Sequence, residues 1–407
     1  MLSRYLPLFS LIVAGELIFS LPFHIPRYFR PTFLEAFGLT NSDLGDTFAV
    51  YGVCAMLAYF PGGLLADRFS ARSLITSSLA ATALGGFYLL SIPSGRGLAV
   101  LFGYWGITTI LLFWAAMLRA TREWGGEFAQ GQAFGLLDGG RGLVAAVMAS
   151  LAVLLFALVV GDAHDLTSTA RLNGMRMVIL CYTLATIAAA LLCWFALPNS
   201  EGSRATKERL RFHSMFNLVL QAMIVACAYC GYKGLDNYSL YAAQVLGMSE
   251  VDAARFTAAT AYIRVGAAIT AGFLADRIGV RNIVVVLFAI LGGAYLALGY
   301  ANPNETHGII FANLIVTYIA VFALRGVYFA LIAESGIDKR STGTAIGVVS
   351  VVGFTPDIFF APLAGRILDA DPGLVGHQNF FLLLSGFASA GLVAAATLAA
   401  VIRRQRR

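Results

Sequence analysis

The sequence predicts an all-α membrane protein of twelve transmembrane helices, built as two related six-helix halves. Three observations predict it. Apolar residues make up 59% of the 407 and charged residues 12%, against roughly 25% charged in water-soluble domains. The apolar residues fall in runs of the length that crosses a hydrocarbon core of ~30 Å, about 20 helical residues. A short polar stretch also occurs twice, at matching points of the two halves: Gly63-Leu-Leu-Ala-Asp67-Arg68-Phe-Ser70-Ala71-Arg72 and Gly272-Phe-Leu-Ala-Asp276-Arg277-Ile-Gly279-Val280-Arg281.

Taken in order, the apolar runs place the spans at approximately 6–30, 44–66, 74–93, 97–118, 132–160, 174–197, 215–240, 252–275, 283–301, 308–333, 343–368 and 377–402. Residues 1–197 form the first half, 198–214 a polar linker and 215–407 the second half. The Lys-Glu-Arg run of the linker predicts a short surface helix. Residues 161–172 and Asn302-Pro303-Asn304 read as external connections. The halves echo each other again where Gly131-Gln-Ala133-Phe-Gly135 opens span 5 and Gly343-Thr-Ala345-Ile-Gly347 opens span 11. Small residues at such spacing let helices approach closely in lipid.

Orientation follows from Lys and Arg, which concentrate on the cytoplasmic side of membrane proteins. With Met1 inside, the cytoplasmic segments hold 17 of the 28 basic residues, including Arg68, Arg72, Arg277, Arg281 and the tail from Arg403. The other side holds Arg96, Arg171, Arg176 and Arg255, with Arg366 near it. Both termini are therefore expected in the cytoplasm, and the net charge of +6 needs no nucleic-acid partner. The first apolar run is a span rather than a cleavable signal, since further spans follow it. Cys54, Cys181, Cys193, Cys227 and Cys230 lie inside apolar runs. They show neither a disulfide framework nor metal-ligand spacing, and no cofactor is expected.

Each polar repeat must turn the chain between two apolar helices, which suits a small residue such as Gly279. Asp67 and Asp276 can accept bonds from backbone N–H groups at a helix start, while Arg68 and Arg277 sit at the water boundary. These stretches resemble the loop 2–3 motif of the major facilitator superfamily, Gly-x-x-x-Asp-Arg/Lys-x-Gly-Arg/Lys-Arg/Lys, and its counterpart in loop 8–9. The second copy departs at Val280. The first departs at Ser70 and Ala71. The resemblance covers the whole chain and implies the major facilitator fold, with two six-helix bundles related by a pseudo-two-fold axis. It also implies a gating role for Gly63, Asp67, Arg68, Gly272, Asp276 and Arg277, in a protein of commonly monomeric kind.

Charges inside the spans mark the candidate site, because each costs roughly 2.5–3.5 kcal/mol at a helix centre on insertion scales. They are Glu16, His24, Arg27 and Arg30 in span 1, Asp138 and Arg141 in span 5, Lys233 and Asp236 in span 7, Arg264, Arg325 and Asp357. Asp138 with Arg141, and Lys233 with Asp236, lie three apart on one helix face and can pair. Arg27 and Arg30 either snorkel to the outer interface or lie deeper in the span. Basic groups outnumber acidic ones in this set, which favours an anionic solute, since Arg offers a planar fork to carboxylate or phosphate.

A finer resemblance points the same way. Arg30-Pro-Thr-Phe33, Gly38-Leu39-Thr-Asn-Ser-Asp-Leu44-Gly45 and Tyr232-Lys233-Gly234-Leu235-Asp236-Asn237-Tyr238 look like the organophosphate:phosphate antiporter branch. That branch holds phosphate with one basic residue from span 1 and one from span 7. Arg30 matches the first by position. Lys233 matches the second after a shift of a residue or two, with Lys in place of Arg. The expected substrate-binding set is Arg30, Lys233, Arg141, Arg325, Arg264, Tyr238 and Asn237. Candidates for a coupling proton are Glu16, Asp138, Asp357 and Asp236. The alternative is a proton-coupled drug or metabolite exporter of the same fold. Span 5, Gly135-Leu-Leu-Asp138-Gly-Gly-Arg141-Gly142, lacks the proline that many such exporters carry there. No nucleophile–base or phosphate-cradling pattern suggests an enzyme.

Overall fold

The computed structural model describes residues 2–125, 130–161, 166–199, 215–302, 307–331 and 349–405. Among them every regular element is a helix, and eleven helices are long and apolar enough to cross a membrane. The remaining predicted span is the 19-residue helix Ala71–Leu89. Its hydropathy is diluted by small polar residues, and several of these are used inward. Ser78 Oγ donates to the Thr108 carbonyl (2.6 Å), and the Thr82 and Thr108 hydroxyls share a bond of 2.9 Å. Trp105 Nε1 donates to the Thr82 carbonyl at 3.0 Å. Hydroxyls and small side chains are what bind helices together where lipid offers no hydrophobic drive.

Local chemistry starts the helices. Span 2, Asn41–Arg68, opens on a capping box in which Thr40 and Asp43 satisfy each other's backbone N–H groups. Thr167 caps span 6, Ser168–Ala196, and Ser249 caps Glu250–Thr260. The two repeat loops solve one problem in two ways. Gly279 adopts φ +87° ahead of Val280–Gly299, a conformation open to glycine. Ser70 keeps an ordinary extended backbone and instead caps Ala71–Leu89 through its hydroxyl, which accepts from Ser73 N–H. That explains how the first copy dispenses with the glycine.

Several spans are broken. Span 1 runs as Leu2–Leu17, a wide π turn Ser20–His24, then Ile25–Tyr28 and Arg30–Phe37. Pro22, Pro26 and Pro31 account for the breaks, since each removes a backbone donor and crowds the carbonyl four residues back. Span 4 holds a π turn at Ile110–Trp114, just after Thr109, whose hydroxyl donates to the Trp105 carbonyl at 2.7 Å; such back-bonding bends helices. Span 7 tightens to a 3₁₀ turn at Leu235–Asn237, after Gly234, and span 10 to another at Tyr328–Ala330. Span 8 is split into Glu250–Thr260 and Ile263–Ile278.

The chain forms two compact units. One is Met1–Ala205 with Asn237–Ala243 and Gly247–Tyr262; the other is Thr206–Asp236, Gln244–Leu246 and Ile263–Arg407. In the first, span 2 packs on span 4, span 3 on span 6, and span 1 on spans 5 and 6. In the second, span 8 packs on span 10, span 9 on span 12, and span 7 on spans 11 and 12. The second pattern is the first shifted by six spans, so the duplication seen in the loop motifs extends to helix packing. The Gly343–Gly347 echo lies outside the described residues.

Spans 2 and 4 meet at Gly106. A Cβ there would lie 2.5 Å from the Tyr51 carbonyl oxygen and 2.9 Å from Cys54 Cβ. Gly106→Ala is expected to lower the thermal unfolding midpoint of the detergent-purified protein, through overpacking of about 1–3 kcal/mol. Gly293→Ala, with no heavy atom within 4 Å of the new methyl, is expected to leave the midpoint unchanged or raised.

Candidate functional site: two buried charge clusters

The first unit carries a carboxylate between two basic side chains. Glu16 Oε2 accepts from Arg141 Nε at 3.2 Å, and Glu16 Oε1 lies 3.3 Å from His24 Nε2. The three side chains are 5%, 12% and 4% exposed. Glu16 and His24 are eight residues apart, and the interruption of span 1 between Leu17 and His24 brings them into contact. Span 5 delivers Arg141 across Gly15, where a Cβ would press within 3.1 Å of Arg141 Cδ and 2.9 Å of Met117 Sδ. The guanidinium also lies 5.9 Å from the Phe19 ring centroid. Aromatic rings close the cluster, with Tyr28 and Tyr182 edge-on to His24. The Tyr182 hydroxyl is buried and has no hydrogen-bond partner among the described residues.

The second unit carries the opposite arrangement, an ammonium between two carboxylates. Lys233 Nζ lies 3.4 Å from Asp236 Oδ2 and 3.5 Å from Asp357 Oδ1. Lys233 and Asp236 are the neighbours that their spacing predicts. Asp357 comes from span 11, where Pro356 and Asp357 open the helix Pro356–Ala370, a favourable place for both residue types. Tyr229, one turn before Lys233, donates its hydroxyl to both Asp357 oxygens, at 3.0 and 3.1 Å. Arg325 lies over the face of Tyr232, with Cζ 3.7 Å from the ring centroid. Tyr232 stacks on Tyr229, which meets Phe354 edge-on. Cations over such faces gain most where water is excluded.

The other candidates are placed as follows. Arg30 and Arg27 are 3% and 9% exposed, so protein covers both and neither snorkels. Arg30 Nε donates to Asn41 Oδ1, at the start of span 2, over 3.1 Å. Arg264 and Tyr238 are buried, and Asp138 is half-buried. Asn237 is buried at 4% exposure, and its Oδ1 accepts no bond among the described residues. Buried polar atoms of this kind are met by solvent or ligand. Gly63 and Gly272 lie within helices, Arg68 and Arg277 are exposed, and the side chains of Asp67 and Asp276 lie outside the described residues. No group of three or more potential metal-ligating side chains occurs among the described residues.

Sequence reading missed three contributors. Tyr229 is an aromatic residue in a span, a type that is usually packing, although its four-residue spacing from Lys233 places both on one face. Arg119 donates to the carbonyls of Ala66 and Phe69, the latter at 2.9 Å, and so holds the end of span 2 at the first repeat loop. Its place in a polar stretch gave no hint of this. Glu250 is the third. It lies at the opening of span 8 yet pairs with Arg171 of span 6, 2.7 Å away.

Membrane-length helices with duplicated packing and ionic clusters buried among them mark a polytopic membrane protein. Residues 12–360 match the family described as the Major Facilitator Superfamily, and the chain belongs to it. Two proteins of Escherichia coli align over nearly the whole length. Inner membrane protein YqcE is 26% identical over 405 residues, covering 96% of this chain and 93% of its own. Inner membrane protein YihN is 26% identical over 419 residues, covering 98% and 96%. Among solved structures, a D-xylose-proton symporter superposes with TM-score 0.73 at 16% identity, over 97% of this chain and 96% of that one. A bacterial homolog of the human lysosomal transporter Spinster gives 0.71 at 18% identity, over 97% and 95%. At these identities the structures speak to the fold alone. The chain is a multi-pass transporter, not an enzyme.

Removing one member of a buried ion pair strands the other, at a cost of roughly 3–5 kcal/mol. Arg141→Met is therefore expected to lower the thermal midpoint more than the double change Glu16→Gln with Arg141→Met. A double-mutant cycle on the purified protein measures the difference.

Proposed function

We propose that this transporter moves a small organic anion by alternating access, with a proton as coupling ion. The observation that carries the anion reading is the balance of buried charge. Among the described residues, Arg27, Arg30, Lys233 and Arg264 are buried, against the buried carboxylates Glu16 and Asp236 and the largely covered Asp357, and a balance tipped toward buried cation suits a negative solute. The aromatic wall of Tyr229, Tyr232 and Phe354 beside Arg325 suits a solute with a carbon skeleton better than a bare inorganic ion. Arg30, Lys233, Arg141, Arg325, Arg264, Tyr238 and Asn237 are the proposed binding set.

Coupling is assigned to the carboxylates that hold these cations. While Asp236 and Asp357 are both ionised, Lys233 is engaged twice. A proton on Asp357 removes one of the two attractions and frees the ammonium for an anion. Glu16 plays the matching part toward Arg141, with His24 as a second proton carrier, and Asp138 on the same helix remains a further candidate. The proposed moving parts are the halves 1–197 and 215–407, joined by 198–214. We place both termini in the cytoplasm on the distribution of Lys and Arg, and the protein in the inner membrane, a location supported by the names of the two relatives. Asp67 and Asp276 are the proposed gate residues, and the functional unit is a monomer.

Uptake into proteoliposomes of carboxylated, sulfonated and phosphorylated organic anions tests this. Arg30→Ala and Lys233→Ala are each expected to reduce uptake at least about tenfold, the scale of one lost charge-assisted contact. Asp357→Asn is expected to leave exchange intact and to abolish stimulation by an imposed pH gradient. Undiminished uptake in both cation variants would overturn the anion reading. Transport of neutral or cationic compounds alone would put an exporter in its place.

A further inference from the structure

Three arginines stand near the junction of spans 2 and 3, and their surroundings differ. Arg68 is exposed to solvent. Arg119 lies against the same loop and donates to the carbonyls of Ala66 and Phe69. Arg72, in the first turn of Ala71–Leu89, is half-buried and has no such acceptor. Its Nε is buried without a hydrogen-bond partner, and no carboxylate pairs with it among the described residues. Thr76 follows one turn later on the same helix face. Its Oγ1 is likewise buried and without a partner among the described residues. Buried polar atoms that no protein group meets are met by solvent or ligand.

Spans 3 and 6 pack together, and span 6 supplies the neighbouring aromatic side chain. Arg72 Cζ lies 4.8 Å from the centroid of the Trp194 ring. A guanidinium stacked on a ring keeps its edge, where the N–H donors lie, available to a second partner. Trp194 is 44% exposed and Phe195 81%, at the end of Ser168–Ala196. Ala71, Leu74, Cys193 and Leu197 of the same two helix ends belong to one packed core. Exposed aromatic faces at the end of a membrane-length helix are met by lipid at the level of the head groups. Unmatched donors and lipid-facing rings thus occur at one place on the surface of the first unit.

We propose that Arg72, Thr76 and Trp194 form a head-group site for an anionic phospholipid of the phosphatidylglycerol kind. Its phosphate accepts from the Arg72 guanidinium and the Thr76 hydroxyl, and its acyl chains lie along Trp194 and Phe195. Arg suits phosphate because its planar fork meets two oxygens at once. A lipid of net negative charge is favoured over a zwitterionic one. The charge of Arg72 is unbalanced among the described residues, and an ammonium head group would require a carboxylate that no described residue supplies here. Basic residues between helices at the bilayer boundary are where anionic head groups are held. None of these three residues belongs to the two buried charge clusters, so the site stands or falls independently of the cargo.

Full-length protein is reconstituted into phosphatidylcholine bilayers in which a fixed fraction of the lipid carries brominated chains, either phosphatidylglycerol or phosphatidylcholine. Bromine quenches the fluorescence of a nearby tryptophan. The Trp194 signal is isolated by subtracting that of the matching Trp194→Phe protein. Brominated phosphatidylglycerol is expected to occupy the site about fivefold more readily than phosphatidylcholine, the scale of one basic residue against an anionic head group. Arg72→Gln is expected to remove this preference, and Thr76→Val and Arg72→Lys to weaken it. Thermal midpoints check folding in each case. Should Arg72→Gln fail to fold, Thr76→Val and Arg72→Lys still decide the matter. Equal quenching by the two lipids in the parent, or a preference unchanged in the folded variants, would overturn the site. Loss of the preference on adding inorganic phosphate at constant ionic strength would assign it to a free ion and overturn the lipid as occupant.

Discussion

A charge taken out of water has to find another charge or a dipole, and inside a bilayer the choice of partners is limited to the protein itself. That requirement organises this molecule. Glu16 sits between Arg141 and His24. Lys233 sits between Asp236 and Asp357. Arg30 finds the amide of Asn41 and Arg325 the face of Tyr232. Each arrangement needs side chains from different spans or from two sides of a helix break, so the charges dictate both where helices must approach and where they must bend.

Those demands fit the local sequence. Pro22 lies in the π turn of span 1 that lets Glu16 and His24 meet. Gly15 leaves room for the stem of Arg141, and Gly106 lets spans 2 and 4 touch backbone to backbone. Pro356 begins the helix that brings Asp357 to Lys233. The same residues would be liabilities in a helix that only had to cross lipid, which is why their placement carries information about function.

The two units share one packing pattern and differ in sign. One holds an acid between two bases; the other holds a base between two acids. A duplicated scaffold thus carries buried ionic clusters of opposite arrangement in its two units. Tyr229 adds a neutral donor to the second cluster, a hydroxyl bond to the one carboxylate there that comes from another span.

The sequence by itself determined the number of spans, their order, the duplication and the identity of the costly charges. All of these follow from run length, repeated motifs and the rarity of ions in lipid, which are local properties. It also placed Lys233 beside Asp236, since three residues along a helix fix a face. The tertiary structure decided which charges meet across spans. Glu16 with Arg141, Lys233 with Asp357 and Glu250 with Arg171 are separated by 125, 124 and 79 positions along the chain. The burial of Arg27 and Arg30 was likewise open until the path of span 1 beyond its prolines was known. Contacts at such separation depend on which helices pack together, and no periodicity within one helix encodes its neighbour.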